Sequence, residues 1–217
     1  VGAGINLSSK RVKGSGYPIK LPFIDISEIG AGGGSIIKLD AHGRVSVGPQ
    51  SAGAVPGPVC YDRGGEDATL TDALVNLGYI NPDFRAGGSV PLNADKARRA
   101  LTQQIAAPLG KSPHDAAYGV LTLAVATMTR AVKAVSTYRG RDPREFILHA
   151  FGGNGAVVAC EIARALQMQR VIVPPAAGVF SAFGLLYADV VQEGMRTLIV
   201  PVKGADRAVL DSTYQAL

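Results

Sequence analysis

Tryptophan is absent from this 217-residue chain, and cysteine and histidine are scarce, with two and three residues respectively. Cys60 and Cys160 lie far apart and form no CxxC pair. A disulfide framework or a zinc cluster is therefore not expected, and two reduced thiols are typical of a cytoplasmic protein. The three histidines form no HxxH or HExxH pattern, so no metal site is predicted from this chain.

Long apolar runs and a strong charge of one sign are also lacking. No run approaches the roughly 20 apolar residues of a membrane helix, and no secretory signal is visible. Since the chain begins at Val1 rather than methionine, we expect that residues upstream have been removed. The net charge of +5 comes from scattered basic residues without interleaved aromatic side chains. Nucleic-acid binding is therefore not predicted.

Glycine is abundant, at 27 residues, and it clusters at the ends of predicted strands. A β-meander is predicted at the start of the chain, from alternating apolar residues and glycine turns. Its three strands are residues 19–29, Ser35–Leu39 and residues 44–47. Residues 48–70 are predicted to form an irregular loop, which at this length is often functional. A short helix at residues 72–77 is expected to end at Gly78.

Helices alternate with strands in the rest of the chain. Asn93 is predicted to cap a helix that runs to about Pro108. Ser112 and Pro113 begin a helix, Pro113–Val135, that is apolar over most of its circumference and is expected to be a buried central helix. A βαβ unit follows. Its parts are strand 145–151, helix 156–166 and strand 171–174, before a helix at 181–187 and a strand at 197–202. The predicted class is α/β.

The three consecutive glycines at residues 32–34, followed by Ser35, form the first candidate site. Without Cβ atoms, the backbone of Gly32, Gly33 and Gly34 can approach a phosphate closely, and successive N–H groups form an anion nest. The Ser35 hydroxyl adds a donor. The alternative interpretation is an ordinary glycine hairpin. A second candidate is Gly152, Gly153, Asn154 and Gly155 before a helix, where free N–H groups favour phosphates or polar nucleoside edges. This turn does not match the dinucleotide pattern GxGxxG.

The loop that leads into the helix at residue 72 contains three candidate catalytic residues. Asp72 lies near a helix start, where a capping role is the alternative. Cys60 as a nucleophile requires a base that no sequence neighbour supplies. Arg63 can pair with a carboxylate or a phosphate.

Five stretches of the chain, in this order, resemble the hydantoinase A/5-oxoprolinase family, which includes ATP-dependent acetone and acetophenone carboxylase subunits. They are IGAGGGSI (29–36), VGPQSAGAVPGPVCYDRGG (47–65), TLTDALVNLG (69–78), HAFGGNGA (149–156) and VIVPPAAGVFSAFGLLYAD (171–189). The resemblance covers most of residues 20–190. It identifies residues 1–217 as a fragment of a hydantoinase A/oxoprolinase domain.

The resemblance implies an actin-like ATPase (ribonuclease H-like) fold in which two halves clamp ATP. Residues 32–35 match the second phosphate hairpin, residues 152–155 match the turn beside the adenosine, and the loop at 48–72 lies toward the substrate. The implied reaction uses ATP and Mg²⁺ to phosphorylate a carbonyl of a cyclic amide, such as hydantoin, N-methylhydantoin or 5-oxoproline. A hydantoinase B-type subunit or domain normally completes the site, so an oligomer is expected.

The chain departs from the family pattern in two ways. The opening Asp–Gly–Gly–Thr-type hairpin that holds the metal and the γ-phosphate has no counterpart, so this part of the clamp is expected to be inactive alone. The family often reads Gly–Pro–Leu–His where this chain has Gly155, Ala156, Val157 and Val158, so an apolar residue replaces the histidine. Two alternatives to the hydrolase stay open: an ATP-dependent carboxylase subunit of the same family, and a non-catalytic nucleotide-binding module.

Overall fold

The computed structural model describes residues 26–83, 91–189, 197–201, 203 and 206–216. The chain divides into two compact units, Val1–Phe180 and Ser181–Leu217. The strands of the first unit are β1 (Ser35–Leu39), β2 (Val45–Ser51), β3 (Leu148–His149) and β4 (Val171–Ile172). Its helices are α1 (Leu70–Asn76), α2 (Ala94–Leu101), α3 (Pro113–Val135) and α4 (Gly155–Ala165). The helix α5 (Phe180–Leu185) begins at the boundary, and α6 (Arg207–Gln215) belongs to the second unit. The α/β class is confirmed.

The hairpin of β1 and β2 confirms the predicted strands at Ser35–Leu39 and at residues 44–47. The strand predicted at residues 19–29 is contradicted in part. The two strands pair antiparallel, with Ile37 opposite Val47, and β2 runs four residues further than predicted, to Ser51 rather than residue 47. In the predicted strand at 19–29, residues 26–29 have no regular structure, and residues 19–25 lie outside the described residues. Ile26 is 72% exposed. The apolar residues of the alternating pattern at 26–29 are therefore not buried on one face, as they would be in a strand of this kind.

The helix α1 begins two residues earlier than predicted because Thr69 and Asp72 form a reciprocal capping box. It ends before Gly78, whose φ of +76° suits glycine. The loop before it is better packed than its sequence indicated. It contains a 3₁₀ turn at Val59–Tyr61, and Pro58, Val59 and Cys60 are buried.

The helix α2 confirms the predicted cap, since the Asn93 side chain accepts a hydrogen bond from the Lys96 N–H. The α-helix ends at Leu101, earlier than predicted, and continues as a π-helical turn over Thr102–Ala106. The buried side chains Leu101 and Ile105 pack into the core at the junction of the two.

The helix α3 has the predicted bounds, with Ser112 as its N-cap and Pro113 in its first turn. It packs against α1, α4 and β2 through one face, whereas Tyr118 and Leu123 on its other side are 57% and 41% exposed. The prediction of burial around the whole helix is therefore wrong. With its following turn, Pro113–Arg139 reaches the length and hydropathy of a membrane-spanning helix, contrary to the expectation from the sequence. Its buried face contributes to the core of the first unit.

The βαβ unit is confirmed: β3 and β4 pair in parallel, and α4 connects them. Both strands have only two residues, shorter than predicted. The predicted helix at 181–187 corresponds to α5. The predicted strand at 197–202 is wrong for residues 197–201, which form no strand, and residue 202 lies outside the described part.

The core of the first unit lies where α1, α2 and α3 meet the inner face of the hairpin. Its largest fully buried apolar side chains are Leu70, Leu74, Leu101, Ile105, Val120 and Leu121. The helix α4 adds Val158 and Ile162. The glycine turn before β1 and the glycine turn before α4 are therefore both attached to elements of one core.

Candidate functional site

The two glycine turns predicted as phosphate sites line one cleft of about 470 Å³, here called the glycine cleft. This size suits a small-molecule site. The turn before β1 contributes Gly33 and Gly34, and the turn before α4 contributes Gly153 and Asn154. The other lining residues are Gly53, Pro58, Tyr61, Thr71, Tyr79, Ile80, Asn81 and Val157. The chain thus brings together two segments that are distant in sequence.

The carbonyl groups of residues 32–34 all accept hydrogen bonds from other groups of the protein. The Gly32 carbonyl accepts a hydrogen bond from the Ser35 N–H (3.0 Å), and the Gly34 carbonyl accepts one from the Ala52 N–H (2.9 Å). The Gly33 carbonyl accepts from both the N–H and the hydroxyl of Thr71, each at 2.9 Å. The oxygen atoms that would repel an anion are therefore already occupied.

The N–H groups of Gly33 and Gly34 have no acceptor among the described residues. In a trans peptide the C=O and N–H point in opposite directions. Because α1 holds the Gly33 carbonyl, the Gly34 N–H points away from α1. Two adjacent unpartnered donors in a glycine turn are the arrangement that binds anions.

Ser35, predicted to add a donor, is placed beneath the turn. Its side chain is 3% exposed, and its hydroxyl accepts a hydrogen bond from the Gly32 N–H at 2.9 Å. The same hydroxyl lies 3.5 Å from the Gly30 carbonyl. In this arrangement the hydroxyl shapes the turn and uses one of its three glycine N–H groups.

The second turn presents the N-terminus of α4 to the glycine cleft. Gly152 has a φ of +88°, and its N–H donates to the Ala177 carbonyl at 2.7 Å. Asn154 occupies the N-cap position without a capping hydrogen bond, and its buried Nδ2 has no partner within the described part of the chain. The first N–H groups of α4 are thus left without a side-chain cap, and a helix N-terminus favours negative charge.

Gly33 is where the two turns approach each other most closely. A Cβ built on Gly33 would lie 2.4 Å from Asn154 Nδ2 and 2.7 Å from Thr71 Oγ1. A Cβ on Gly153 would meet no atom of the described residues within 4 Å, and Gly153 does not have a positive φ. The protein itself therefore requires glycine at residue 33 but not at residue 153.

The glycine cleft has a polar and an apolar part. No Lys, Arg, Asp or Glu is found among its described lining residues. The polar part consists of the two turns and Thr71, and the apolar part includes Pro58, Ile80 and Val157. Any anion bound here would be held by backbone N–H groups and the α4 dipole rather than by charged side chains.

Tyr79, at the edge of the glycine cleft, is linked to α4. Its hydroxyl donates to Glu161 Oε1 at 3.1 Å, and Glu161 Oε2 pairs with Arg164 Nη1 at 2.6 Å. Desolvation and the hydrogen bond to Glu161 raise the pKa of Tyr79, and the same carboxylate raises the pKa of Arg164. Tyr79 was not predicted from the sequence, although it directly follows the stretch TLTDALVNLG.

Asp72 is fully buried, and its carboxylate joins three parts of the chain. Oδ1 accepts from the Cys60 N–H at 2.7 Å. Oδ2 accepts from the Val59 N–H (3.3 Å), and from the N–H and hydroxyl of Thr69 (2.8 and 2.7 Å). With its oxygens occupied by donors, Asp72 has the geometry of a buried cap rather than of a group that faces a ligand.

The other two catalytic candidates are not brought together with Asp72 in one open site. Cys60 is 0% exposed. Arg63 is exposed and lines a separate hollow of about 540 Å³ with Asp62, Asn93 and Asp95. The described residues contain no group of three His, Cys, Asp or Glu side chains that could hold a metal.

The chain is similar in sequence to known proteins. The hydantoinase/oxoprolinase family model matches residues 4–194. The chain is 41% identical over 202 residues to caprolactamase subunit alpha of Pseudomonas jessenii, covering 93% of the chain and 29% of that protein. It is also 41% identical over 198 residues to the acetophenone carboxylase gamma subunit of Aromatoleum aromaticum, covering 90% and 27%.

A solved structure extends the likeness to the fold. The crystal structure of the ATP-dependent caprolactamase from Pseudomonas jessenii matches with a TM-score of 0.73 and 42% identity, over 80% of this chain and 25% of that one. The chain spans less than a third of the length of these relatives. Since the family model covers nearly all of the described first unit, the chain belongs to the hydantoinase/oxoprolinase family.

Proposed function

We propose that this chain is the part of an ATP-dependent hydrolase that binds the phosphates of ATP, in an enzyme that opens a cyclic amide by phosphorylating its carbonyl. The observation that carries the proposal is the meeting of two glycine turns in one cleft, with the Gly33 and Gly34 N–H groups unpartnered among the described residues and the α4 N-terminus without a side-chain cap. The similarity to the ATP-dependent caprolactamase of Pseudomonas jessenii, in sequence and in fold, supports it.

The residues present fit a polyphosphate. The buried Asn154 Nδ2, which has no partner in the described part of the chain, is a donor beside the α4 N-terminus. Gly153 leaves open space above the same helix end. In this proposal Gly33 and Gly34 bind one end of the phosphate chain, and Gly153 and Asn154 bind the other. ATP supplies the phosphoryl group, and these residues position it and disperse its charge.

In this proposal Mg²⁺ is bound to the phosphate oxygens of ATP rather than by side chains of the cleft. None of the described residues lining the glycine cleft is a carboxylate, so the cleft by itself does not fit a protein-held metal. Mg²⁺ commonly binds phosphate oxygens and keeps several waters, with one or two carboxylates. Those carboxylates would come from outside the described cleft, as would the hairpin of Asp–Gly–Gly–Thr type.

Three features of the whole enzyme are part of the same proposal. The chain is one portion of an actin-like ATPase fold, and a second portion closes over the glycine cleft. A hydantoinase B-type subunit or domain completes the active site, in line with relatives that are named as subunits. The protein is cytoplasmic. The first two features follow from the family's pattern and from the length of the relatives, which exceeds that of this chain more than threefold. The cytoplasmic location follows from two cysteines that form no disulfide framework.

A second candidate function is an ATP-dependent carboxylase of the same family. It is favoured by the 41% identity to the acetophenone carboxylase gamma subunit, which equals the identity to the caprolactamase subunit. Both candidates use the same phosphate site and differ in the acceptor that is phosphorylated or carboxylated. A non-catalytic nucleotide-binding module would bind ATP without turning over any acceptor.

ADP release by the full-length protein with its partner subunit tests the proposal. Hydantoin, N-methylhydantoin, 5-oxoproline and a simple lactam are compared with ketones in the presence and absence of bicarbonate. Cyclic amides that stimulate ADP release without bicarbonate support the hydrolase. Stimulation only by a ketone with bicarbonate supports the carboxylase. ATP binding without stimulation by any acceptor supports the module, and an absence of ATP binding contradicts all three.

Gly153→Val tests the site itself more cleanly than a change at Gly33. A side chain on Gly33 strikes Asn154 and Thr71 before any ligand, whereas one on Gly153 meets no described protein atom. We expect Gly153→Val to fold normally and to lose ATP binding by at least about tenfold, because the side chain occupies the phosphate path. Gly119→Val is the matched control, since Gly119 is exposed on α3 with open space around it. Unchanged ATP affinity in Gly153→Val would overturn the assigned site.

A further inference from the structure

A hydrogen bond joins two elements at the edge of the glycine cleft, away from the glycines. The Tyr79 hydroxyl donates to Glu161 Oε1 at 3.1 Å. Tyr79 and Val157 both line the cleft, and Glu161 follows Val157 by four residues on α4. Residues at i and i+4 of a helix lie on the same face. The bond therefore joins the wall that carries Tyr79 to the α4 face that borders the cleft.

Each end of this bond is anchored to one of the two glycine turns. On one side, the Tyr79 N–H donates to the Leu74 carbonyl of α1 at 2.9 Å, and Thr71 of the same helix holds the Gly33 carbonyl. On the other side, Glu161 belongs to α4, the helix that begins at Gly155. Its second carboxylate oxygen pairs with Arg164 at 2.6 Å. A continuous path of hydrogen bonds and helix backbone thus runs from one turn to the other through Tyr79.

The turns themselves approach closely without such a bond. Gly33 and Asn154 nearly touch, yet Asn154 Nδ2 has no partner among the described residues. The packing of α1 and α4 into one core keeps the two turns near each other, while the contact between Gly33 and Asn154 itself resists only closing. The bond between Tyr79 and Glu161 adds a directional restraint against opening to that packing.

We propose that Tyr79 is a positioning residue that, by bonding Glu161, sets the distance between the two phosphate-binding turns of the glycine cleft. The inference rests on the proposed function for the identity of the ligand. Tyr79 does not need to touch ATP. Loss of its hydroxyl lowers the fraction of molecules in which both turns can bind one polyphosphate. The apparent affinity for ATP falls in proportion to that fraction.

Titration calorimetry with ATP on the full-length protein gives the first test. We expect Tyr79→Phe to raise the Kd for ATP by about 3- to 10-fold, the effect of losing one hydrogen bond of ordinary net strength. Glu161→Ala should give a similar increase, and the double variant should be no weaker than either single one. Glu161→Gln keeps a carbonyl acceptor for the Tyr79 hydroxyl and should stay within about twofold of the parent. Tyr138→Phe, at an exposed site in the turn after α3, is the control for removing a hydroxyl.

Hydrogen exchange without nucleotide gives a second test that does not depend on ATP. Peptides that contain residues 30–37 and 152–160 should exchange faster in Tyr79→Phe than in the parent and in Tyr138→Phe, whereas peptides from α2 should not change. Unchanged exchange in both turns overturns the positioning role. An equal loss of ATP affinity in Glu161→Gln and Glu161→Ala also overturns it, because charge rather than the bond would then matter.

The two proposals fail in different ways. If the parent protein binds no ATP, the proposed function fails, and the exchange measurement still decides the role of Tyr79. If the parent binds ATP and Tyr79→Phe binds it equally well, only the positioning role fails.

Discussion

Replacing Asp72 by asparagine separates a structural role from a catalytic one. The carboxylate has no exposed surface and accepts four hydrogen bonds, from the Cys60 N–H, the Val59 N–H and two donors of Thr69. It caps α1 and ties the 3₁₀ turn at Val59–Tyr61 to that helix. Asparagine has the same shape, but it presents N–H₂ where one of the carboxylate oxygens accepted.

The expected cost follows from the donors that lose their acceptor. If the amide oxygen faces Thr69, the NH₂ group faces the Cys60 N–H. Two donors then point at each other, and the buried Cys60 N–H has no acceptor. An unsatisfied buried donor costs about 1–3 kcal/mol, and bonds to a neutral acceptor are weaker than bonds to a carboxylate. We expect Asp72→Asn to lower the free energy of unfolding by about 3 kcal/mol. Asp72→Ala removes every acceptor and the cap, and we expect about 4–6 kcal/mol.

Urea unfolding of the full-length protein, followed by circular dichroism, measures this loss. Asp95→Asn is the matched control, because Asp95 lies in the first turn of α2 and is exposed. Its change should stay within about 0.5 kcal/mol. The reasoning is refuted if Asp72→Asn unfolds like the parent but abolishes ATP turnover. That outcome would make Asp72 a catalytic group and the observed bonds incidental.

Two further predictions concern the walls of the glycine cleft. Gly33→Ala should lower the unfolding free energy by about 1–3 kcal/mol, because its Cβ overpacks against Asn154 and Thr71. Adding Asn154→Ala to the same protein should recover part of that loss. Urea unfolding of the single and double variants measures both effects. Desolvation and the bond to Glu161 raise the pKa of Tyr79 from its ordinary 10.0, so the fold favours the neutral phenol. This stabilisation is present below pH of about 10 and is lost as pH rises through the folded pKa. The difference in tyrosinate absorbance between the parent and Tyr79→Phe, followed against pH, should show one phenol with a pKa above 10. A difference curve with a pKa at or below 10 would contradict the raised pKa of Tyr79.

The starts of α2 and α3 were predictable because their signals are local. Asn93 and the pair of Ser112 and Pro113 mark α2 and α3 correctly, since a cap needs only a side-chain oxygen within three residues of the N–H groups it accepts. The strand Ser35–Leu39 and the βαβ order were predicted for the same reason. The meeting of the two glycine turns was expected only from the family resemblance, because no local rule relates residues so far apart.

Features that depend on packing partners could not be read from the sequence. The apolar circumference of α3 predicted burial on all sides, but only one face meets the core of the unit. Ser35 looked like a ligand donor, yet its hydroxyl is directed beneath the turn by the Gly32 N–H. Asp72 gave a visible capping signal, but its bonds to Val59 and Cys60 come from a loop whose path no pattern indicated.

The glycines of the two turns show why a glycine-rich motif alone is an ambiguous sign of a ligand site. At Gly33 a Cβ would collide with Asn154 and Thr71, so the protein's own packing accounts for the absent side chain. At Gly153 neither the described neighbours nor the backbone conformation requires glycine. A residue that faces the cleft and is small for no internal reason is the stronger indication that something outside the chain approaches there. The case for a polyphosphate therefore depends more on Gly153 and on the unpartnered N–H groups of Gly33 and Gly34 than on the run of three glycines itself.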